Sequence, residues 1–355
     1  MPGQFERSEG EPVSQVVMVT GVGRYLGACF ARMLADDPDV DRVIGVDVIQ
    51  PTHDIGNSEF VKADIRNPVV AKVIARAKVE TVVHMNVLAT PLDAGGRVPQ
   101  KEINVIGTMQ LLAACQKSPT VSRLVVKSST TVYGASPRDP AMFTEDMAPK
   151  VLPRSGYAKD SVEVEGYVRG FSRRRPDVAV TTLRFANFIG PTVRTPLTEY
   201  FTLPVLPIVL GHDARLQFIH EDDGLAALRR ATVQDRPGTF NVAGDGILML
   251  SQAARQAGRP VIPVPGLASS VVGGLMKRAK LADFSPEQIR FLTYGRGVDT
   301  TRMRDQFGFR PKYTTAQAFS LFVNARSRDG VLDRDRVGSV EQVLVGVLRR
   351  TGSDG

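Results

Sequence analysis

The chain has 355 residues, of which 43% are hydrophobic, enough to bury a sizeable core in one large domain or two closely joined ones. The formal charge of +8 comes from dispersed basic residues, the densest groups being Arg173, Arg174, Arg175 and the pair Arg349, Arg350. Without aromatic interleaving or a DNA-binding motif, they describe a basic solvated surface, and a nucleic-acid partner is not expected. Cys29 and Cys115 cannot build a disulfide framework, and the four histidines lack metal-ligand spacing, so no zinc site is expected. The polar N-terminus lacks an apolar signal region, and no apolar run reaches the roughly 18–20 residues that span a bilayer, so the expected location is cytoplasmic.

From residue 15 onward, β-branched runs alternate with helical periods. "VVMVT" leads to a helix over "YLGACFARMLADD", then come "RVIGVDV", the helix "PVVAKVIARA" and the run "TVVHMNV". The helix "PQKEINVIGTMQLLAACQKS", the strand "RLVVKSS" and a helix beginning near Tyr157 follow. Nearly continuous apolar strands alternating with helices predict a doubly wound parallel α/β sheet of Rossmann type, covered on both faces. After "VAVTTLRFANFIGP" the alternation loosens into Pro- and Gly-rich stretches, read as a smaller interleaved C-terminal lobe that holds substrate over the carboxyl ends of the strands. The expected organisation is a disordered N-terminal tail over 1–14, a nucleotide-binding domain over 15–185, and a substrate lobe over 186–325 with segments returning to the first domain. A tail over 326–355 completes it. In that tail "SVEQVLVGVLRR" is an amphipathic helix expected to dock on the protein's own surface, with membrane-surface contact the minority alternative.

The first strand runs into "TGVGRYLG", residues 20–27, and then a helix. A tight glycine turn at a helix N-terminus brings backbone N–H groups and the positive end of the helix dipole to a pyrophosphate. Gly21, Gly23 and Gly27 supply the turn. Asp47, about 20 residues further on at the end of the second strand, is placed to accept ribose hydroxyls and repel a 2′-phosphate, which favours NAD over NADP.

These features and their order resemble the extended short-chain dehydrogenase/reductase family, in its NAD-dependent epimerase/dehydratase group of UDP-glucose 4-epimerase type. The resemblance runs from about Val16 to Pro311. "ADIRN" is similar to the adenine-contacting segment through Asp64 and Ile65, and "VVHMNVLA" to the fourth strand and its loop, with Met85 and Asn86 beside the cofactor. "INVIGTMQLL" carries the family's Asn at Asn104, and "SSTTVYG" places a catalytic hydroxyl at Ser129. "LRFANFIGP" matches the hinge into the substrate lobe, with Asn187 as a substrate contact. Where the family has its second glycine, at position 24, this chain has Arg24 with Gly23 displaced by one, followed by Tyr25 and Leu26 in the cofactor turn. The resemblance further implies a homodimer built on the helices containing Asn104 and Tyr157, with Met109, Leu112, Val164 and Val168 available for a buried face, the alternative being that they cover their own sheet.

Two departures concern the chemistry. The family's diphosphate-binding Arg falls at Leu216, and Arg215 is displaced by one residue, which on a strand turns a side chain to the other face. Arg215 and Arg296 are the candidate substrate cations, with surface solvation the alternative for Arg296. The catalytic Tyr is Tyr157, in "YAKDSVEVEGY", but the Lys that should follow one turn later is Ser161. A phenol with an ordinary pKa of about 10 needs a nearby positive charge to act as a base near neutrality. Lys159 projects from the opposite helix face. Lys127 shares a strand face with Ser129 and is the candidate replacement, the alternative being a structural pairing with Glu163 or Glu165. Three functions follow: an NAD-dependent oxidoreductase or epimerase acting on a hydroxyl of a nucleotide sugar or related alcohol, a catalytically impaired NAD-binding regulator or scaffold, or a dehydrogenase of a lipidic or sterol-like alcohol, suggested by "YFTLPVLPIVLG" and "LASSVVGGLM".

Overall fold

The computed structural model describes residues 15–89, 95–154, 156–265 and 285–328. The expected tail helix and the "LASSVVGGLM" stretch lie outside the described residues. Strands β1 (Val16–Thr20), β2 (Arg42–Asp47), β3 (Glu59–Lys62), β4 (Thr81–His84), β5 (Arg123–Ser129) and β6 (Ala179–Phe185) alternate with helices α1 (Tyr25–Ala35), α2 (Val69–Ala77), α3 (Arg97–Lys101), α4 (Thr108–Lys117) and α5 (Gly156–Arg174). The second lobe and its returning segments contain α6 (Pro196–Thr202), α7 (Glu221–Val233), α8 (Leu250–Gln256), α9 (Pro286–Tyr294), α10 (Thr301–Asp305) and α11 (Thr315–Arg328). Its strands are β7 (Asn187–Ile189), β8 (Leu206–Val209), β9 (Arg215–Leu216), β10 (Phe218–His220), β11 (Gly238–Val242), β12 (Leu248–Met249) and β13 (Val261–Val264).

The central sheet has seven strands in the order β11-β6-β5-β4-β1-β2-β3, and every pairing is parallel. β1 is buried at every residue, which is why its sequence is apolar without alternation. On one face, Phe30 and Leu34 of α1 and Leu225 and Leu228 of α7 share a core with Val17, Val19 and Val125. On the other, Ile74, Leu111, Val164, Val168 and Phe171 pack on Met18, Val82 and Leu124. Each such fully buried Leu, Val or Phe contributes about 1.5–3 kcal/mol relative to exposure. The second lobe has its own core around Tyr200, Phe201, Leu216, Phe218 and Phe319. Through α7 and β11 the chain returns to the central sheet, so the lobes interleave.

The expected single helix from Pro99 to Ser118 is instead α3, a π-helical stretch Glu102–Gly107 and α4. Widening the helix there seats Asn104, which is fully buried, against the loop after β4. The face expected to be free for a dimer is largely used: Leu112, Val164 and Val168 cover their own sheet, and of the four residues only Met109 is exposed, at 43%. Among the described residues no helix is long and apolar enough to cross a membrane.

Candidate active site

A cavity of about 1140 Å³ lies at the carboxyl ends of β1, β4, β5 and β6, where the strand order reverses direction, with second-lobe residues on its far wall. That exceeds the roughly 300–1,000 Å³ of pockets for one small ligand and leaves room for two. Among the described residues its wall carries six cations, Arg24, Lys127, Arg154, Arg194, Arg290 and Arg296, against one acid, Glu287. Such a balance attracts anionic ligands.

At one end, Gly21, Gly23, Arg24, Tyr25, Leu26 and Gly27 all border the cavity. Gly21 has φ +89°, and a Cβ on Gly27 would stand 2.0 Å from the Gly21 carbonyl oxygen, so α1 can close onto the turn only with glycine there. α1 has no side-chain cap and no acid in its first turn. Its first amides are left for an anion, and the dipole favours one. These residues fit the pyrophosphate of a dinucleotide. Arg24 occupies the N-cap with extended backbone, which places a charged side chain at this turn.

Several expected cofactor residues make structural contacts in the fold. The buried Asp47 carboxylate accepts the Gly23 N–H at 3.0 Å and the Ile49 N–H at 3.1 Å, locking the turn to β2, and it does not border the cavity. Each of its oxygens keeps a second acceptor site. Asp64 also stands off the cavity. Its carboxylate is engaged by the Arg66 guanidinium, at 2.6 Å in the shortest contact, which holds its pKa below the usual carboxylate range. Ile65 is core, 2% exposed, and packs against Gly107. Met85 borders the cavity, whereas the buried Asn86 does not. The Asn104 side chain accepts the Leu88 N–H at 2.7 Å and donates to the Leu88 carbonyl at 3.0 Å and to Asp160 at 3.2 Å. Asn104 therefore braces the loop after β4 and does not touch the cavity.

At the other end, Ser129 closes β5 and accepts the Thr131 N–H at 3.2 Å, opening a 3-10 turn over Thr130–Tyr133. Tyr157 sits in the first turn of α5 on the same cavity wall. Burial holds its pKa above the ordinary phenol value, against the opposing pull of hydrogen bonding with the Ser161 and Ser129 hydroxyls; Asp160 adds to the rise and the Arg296 charge works against it. Ser161 lies on the buried face of α5 beneath Tyr157 and donates to the Tyr157 carbonyl at 2.9 Å. It brings a hydroxyl where the family has an ammonium.

Lys127 borders the cavity with Ser129, as their shared strand face predicts. Its Nζ stands 5.5 Å from the centre of the Phe188 ring, and burial lowers its pKa to about 8. The alternative pairing with Glu163 or Glu165 is overturned: Glu165 is held by Arg184 at 2.6 Å, and Glu163 faces Lys159 at 3.8 Å. The cation whose field opposes the rise in the Tyr157 pKa is Arg296, which also lines the cavity. Arg296 is 7% exposed, which overturns surface solvation, and desolvation brings it down to about 10. Its Nη1 donates to the Gly134 carbonyl at 2.9 Å, while its buried Nε has no hydrogen-bond partner.

Asn187 borders the cavity, but Arg215 does not. The Arg215 guanidinium donates to the carbonyls of Ala141 and Pro140 at 3.0 and 3.1 Å, while its neighbour Leu216 is buried in the second-lobe core. Strand alternation puts the two on opposite faces, so Arg215 is removed from the substrate contacts. Sequence reasoning missed Glu287, which meets the first turn of α5 from 129 residues away and carries no local signal. It also missed Asp160, one helical turn beyond Tyr157 and fully buried, which pairs with Arg97 at 2.6 Å.

The model of the NAD dependent epimerase/dehydratase family matches residues 17–243. An uncharacterized protein of Mycobacterium tuberculosis is 48% identical over 350 residues, covering 98% of this chain and 93% of that one. The UDP-glucose 4-epimerase of Mycolicibacterium smegmatis is 27% identical over 335 residues, 86% of this chain and 96% of that one. Among solved structures, dTDP-glucose 4,6-dehydratase from Bacillus anthracis in complex with NAD superposes with a TM-score of 0.68 at 20% identity, covering 89% of this chain and 97% of that one. UDP-glucose 4-epimerase from Thermotoga maritima with UDP-glucose gives a TM-score of 0.67 at 18% identity, covering 89% and 99%.

Proposed function

Because the chain belongs to the NAD-dependent epimerase/dehydratase family, whose cofactor the turn at Gly21, Gly23 and Gly27 fits, we propose that it oxidises a hydroxyl of a nucleotide-linked sugar. Bound NAD supplies hydride acceptance. Tyr157 takes the hydroxyl proton, Ser129 orients the substrate oxygen, and Arg296 supplies the positive charge that Ser161 lacks. The observation carrying this reading is the meeting of Tyr157 and Ser129 on the wall of the cavity that begins at the glycine turn. Nucleotide sugars are the substrates named for the neighbouring UDP-glucose 4-epimerase structure, and the cationic wall suits their diphosphate. We also infer a homodimer through α4 and α5.

One observation favours a second reading, a protein that holds NAD without turnover: the hydroxyl of Ser161 brings no charge to Tyr157. The test is conversion of UDP- and dTDP-sugars by the NAD-loaded protein, followed by product analysis and by NADH absorbance. Tyr157→Phe is expected to lose at least about 100-fold in kcat while retaining NAD affinity. Arg296→Met is expected to move the acidic limb of the pH–rate profile to higher pH, because removing a cation raises the pKa of the phenol that must be deprotonated to act as base. Loss of turnover in Lys127→Met with an unshifted profile in Arg296→Met would instead assign the charge to Lys127. No conversion by the native protein, with activity created by Ser161→Lys, would establish the non-catalytic reading.

A further inference from the structure

Four buried polar atoms that lack hydrogen-bond partners belong to residues on the wall of this cavity: Thr131 Oγ1, Glu287 Oε1, Gln288 Nε2 and Arg296 Nε. An unmet buried polar atom costs about 1–3 kcal/mol, so a cluster of them around a cavity marks a place built for a ligand's own donors and acceptors. Glu287 is the informative member. It is the cavity's one acid among the described residues, and it comes from the first turn of α9.

The position of its carboxyl is fixed from two sides. Oε2 accepts the N–H of Ala158, the residue after Tyr157, at 3.3 Å. A Cβ on Gly156 would lie 2.3 Å from Oε1, so the carboxyl lies against the backbone immediately before Tyr157, in space that only glycine leaves open. Gly156 also has φ +67°, a second requirement for glycine at the start of α5. Glu287 thus belongs to the reacting end of the cavity and not to the nucleotide end. Burial pushes its pKa up, with Arg97 and Arg296 opposing and Asp160 reinforcing that shift.

Resting on the nucleotide-sugar reading above, we propose that Glu287 is a specificity-determining residue: its free carboxyl oxygen bonds a hydroxyl of the sugar ring, and its charge rejects sugars that carry a carboxylate. Gln288 and Arg296, which line the same cavity, each carry a buried side-chain N–H without a partner, and donors together with an acceptor match sugar hydroxyls, which both donate and accept. A uronic acid would bring a second carboxylate into the desolvated space that holds the first, and like charges there repel strongly.

The test measures affinities of the NAD-loaded protein for UDP-glucose, dTDP-glucose and UDP-glucuronic acid by calorimetry. The native protein is expected to bind a glucose nucleotide at least 10-fold tighter than UDP-glucuronic acid. Glu287→Gln keeps an acceptor and removes the charge, so it is expected to reduce that preference at least 10-fold, chiefly by strengthening uronate binding. Glu287→Ala is expected to lose at least 10-fold for the glucose nucleotide. Unchanged NAD affinity and unfolding temperature establish that each variant is folded. If UDP-glucuronic acid binds the native protein as well as the glucose nucleotides do, or if Glu287→Gln leaves the preference unaltered, the proposal falls while the nucleotide-sugar reading stands. If none of the three binds, the nucleotide-sugar reading falls and takes this proposal with it.

Discussion

At Lys127 an ammonium stands in a half-buried position on β5 with its nitrogen against the face of Phe188. Burial lowers its pKa from 10.5 to about 8, and burial, reinforced by the Lys127 charge, pushes the neighbouring His84 down to about 4. His84 is therefore a neutral imidazole at pH 7, held 2.9 Å from both Thr20 and Thr108, so that it ties β1 and β4 to α4. Lys127 is a cost to the cofactor-free fold that an isosteric apolar side chain would not bear. Lys127→Met is expected to stabilise the cofactor-free protein at pH 7 by about 1–3 kcal/mol. The sign with pH follows from linkage. The folded protein releases this proton near pH 8 and the unfolded chain near 10.5, so across that window the unfolded state binds more protons and wild-type stability rises relative to the variant. Urea unfolding of both proteins at pH 7, 8.5 and 10 measures this, and a gap that is absent at pH 7 or widens with pH contradicts it.

Among the elements, α5 matters most, because it carries Tyr157 at one end and is pinned to the sheet in its middle. Glu165 of α5 receives the Arg184 guanidinium of β6 at 2.6 Å and the Ser128 hydroxyl of β5 at 2.6 Å. Arg184 also donates to the Tyr133 hydroxyl at 2.8 Å and to the Glu145 carbonyl at 2.9 Å, so one buried cation joins two strands, a helix and the loop after Ser129. Removing Arg184 leaves the buried Glu165 carboxylate with the Ser128 hydroxyl and the more distant, largely exposed Arg169 at 3.6 Å. Arg184→Met is expected to destabilise by about 3–5 kcal/mol. Adding Glu165→Gln should recover part of that loss, since the orphaned charge is then gone. Denaturant midpoints of the single and double variants decide the point: a double variant no more stable than Arg184→Met would mean that the cost comes from packing and not from an unpaired carboxylate.

On the scale of the whole molecule, the interleaved lobes bring Arg296 and Glu287, from beyond residue 285, to the cavity that Ser129 and Tyr157 of the nucleotide-binding half also line. The homodimer inferred for α4 and α5 needs an apolar surface different from the one expected, because Leu112, Val164 and Val168 are already committed to the sheet. The apolar side chains left exposed on these elements and the preceding π turn are Ile106 at 46%, Met109 at 43% and Tyr167 at 39%. Light scattering at micromolar concentration is expected to give a dimer, and the pair Ile106→Lys and Met109→Lys to give a monomer with unchanged circular dichroism. A native protein that is monomeric, or a dimer indifferent to the two lysines, refutes this surface.

The sequence alone determined the features that depend on local periodicity and backbone geometry. Unbroken apolar strands alternating with helices specified a parallel sheet covered on both faces, and Gly21 and Gly27 marked a turn that only glycine can close before α1. Strand alternation was enough to place Lys127 and Ser129 on one cavity wall, and to foresee that Arg215 and Leu216 point apart. Tertiary structure decided what each charge does, because a charge acts through neighbours in space and the sequence gives no distance between segments that fold together from far apart. It took Asp47 and Asn104 into bracing loops, gave Glu165 to Arg184, buried Arg296 within reach of Tyr157's field, and brought Glu287 against the backbone before Tyr157. A side chain's type and spacing fix which face it starts from; whether its polar atoms are met by partners or left open to a ligand depends on the elements the fold packs around it.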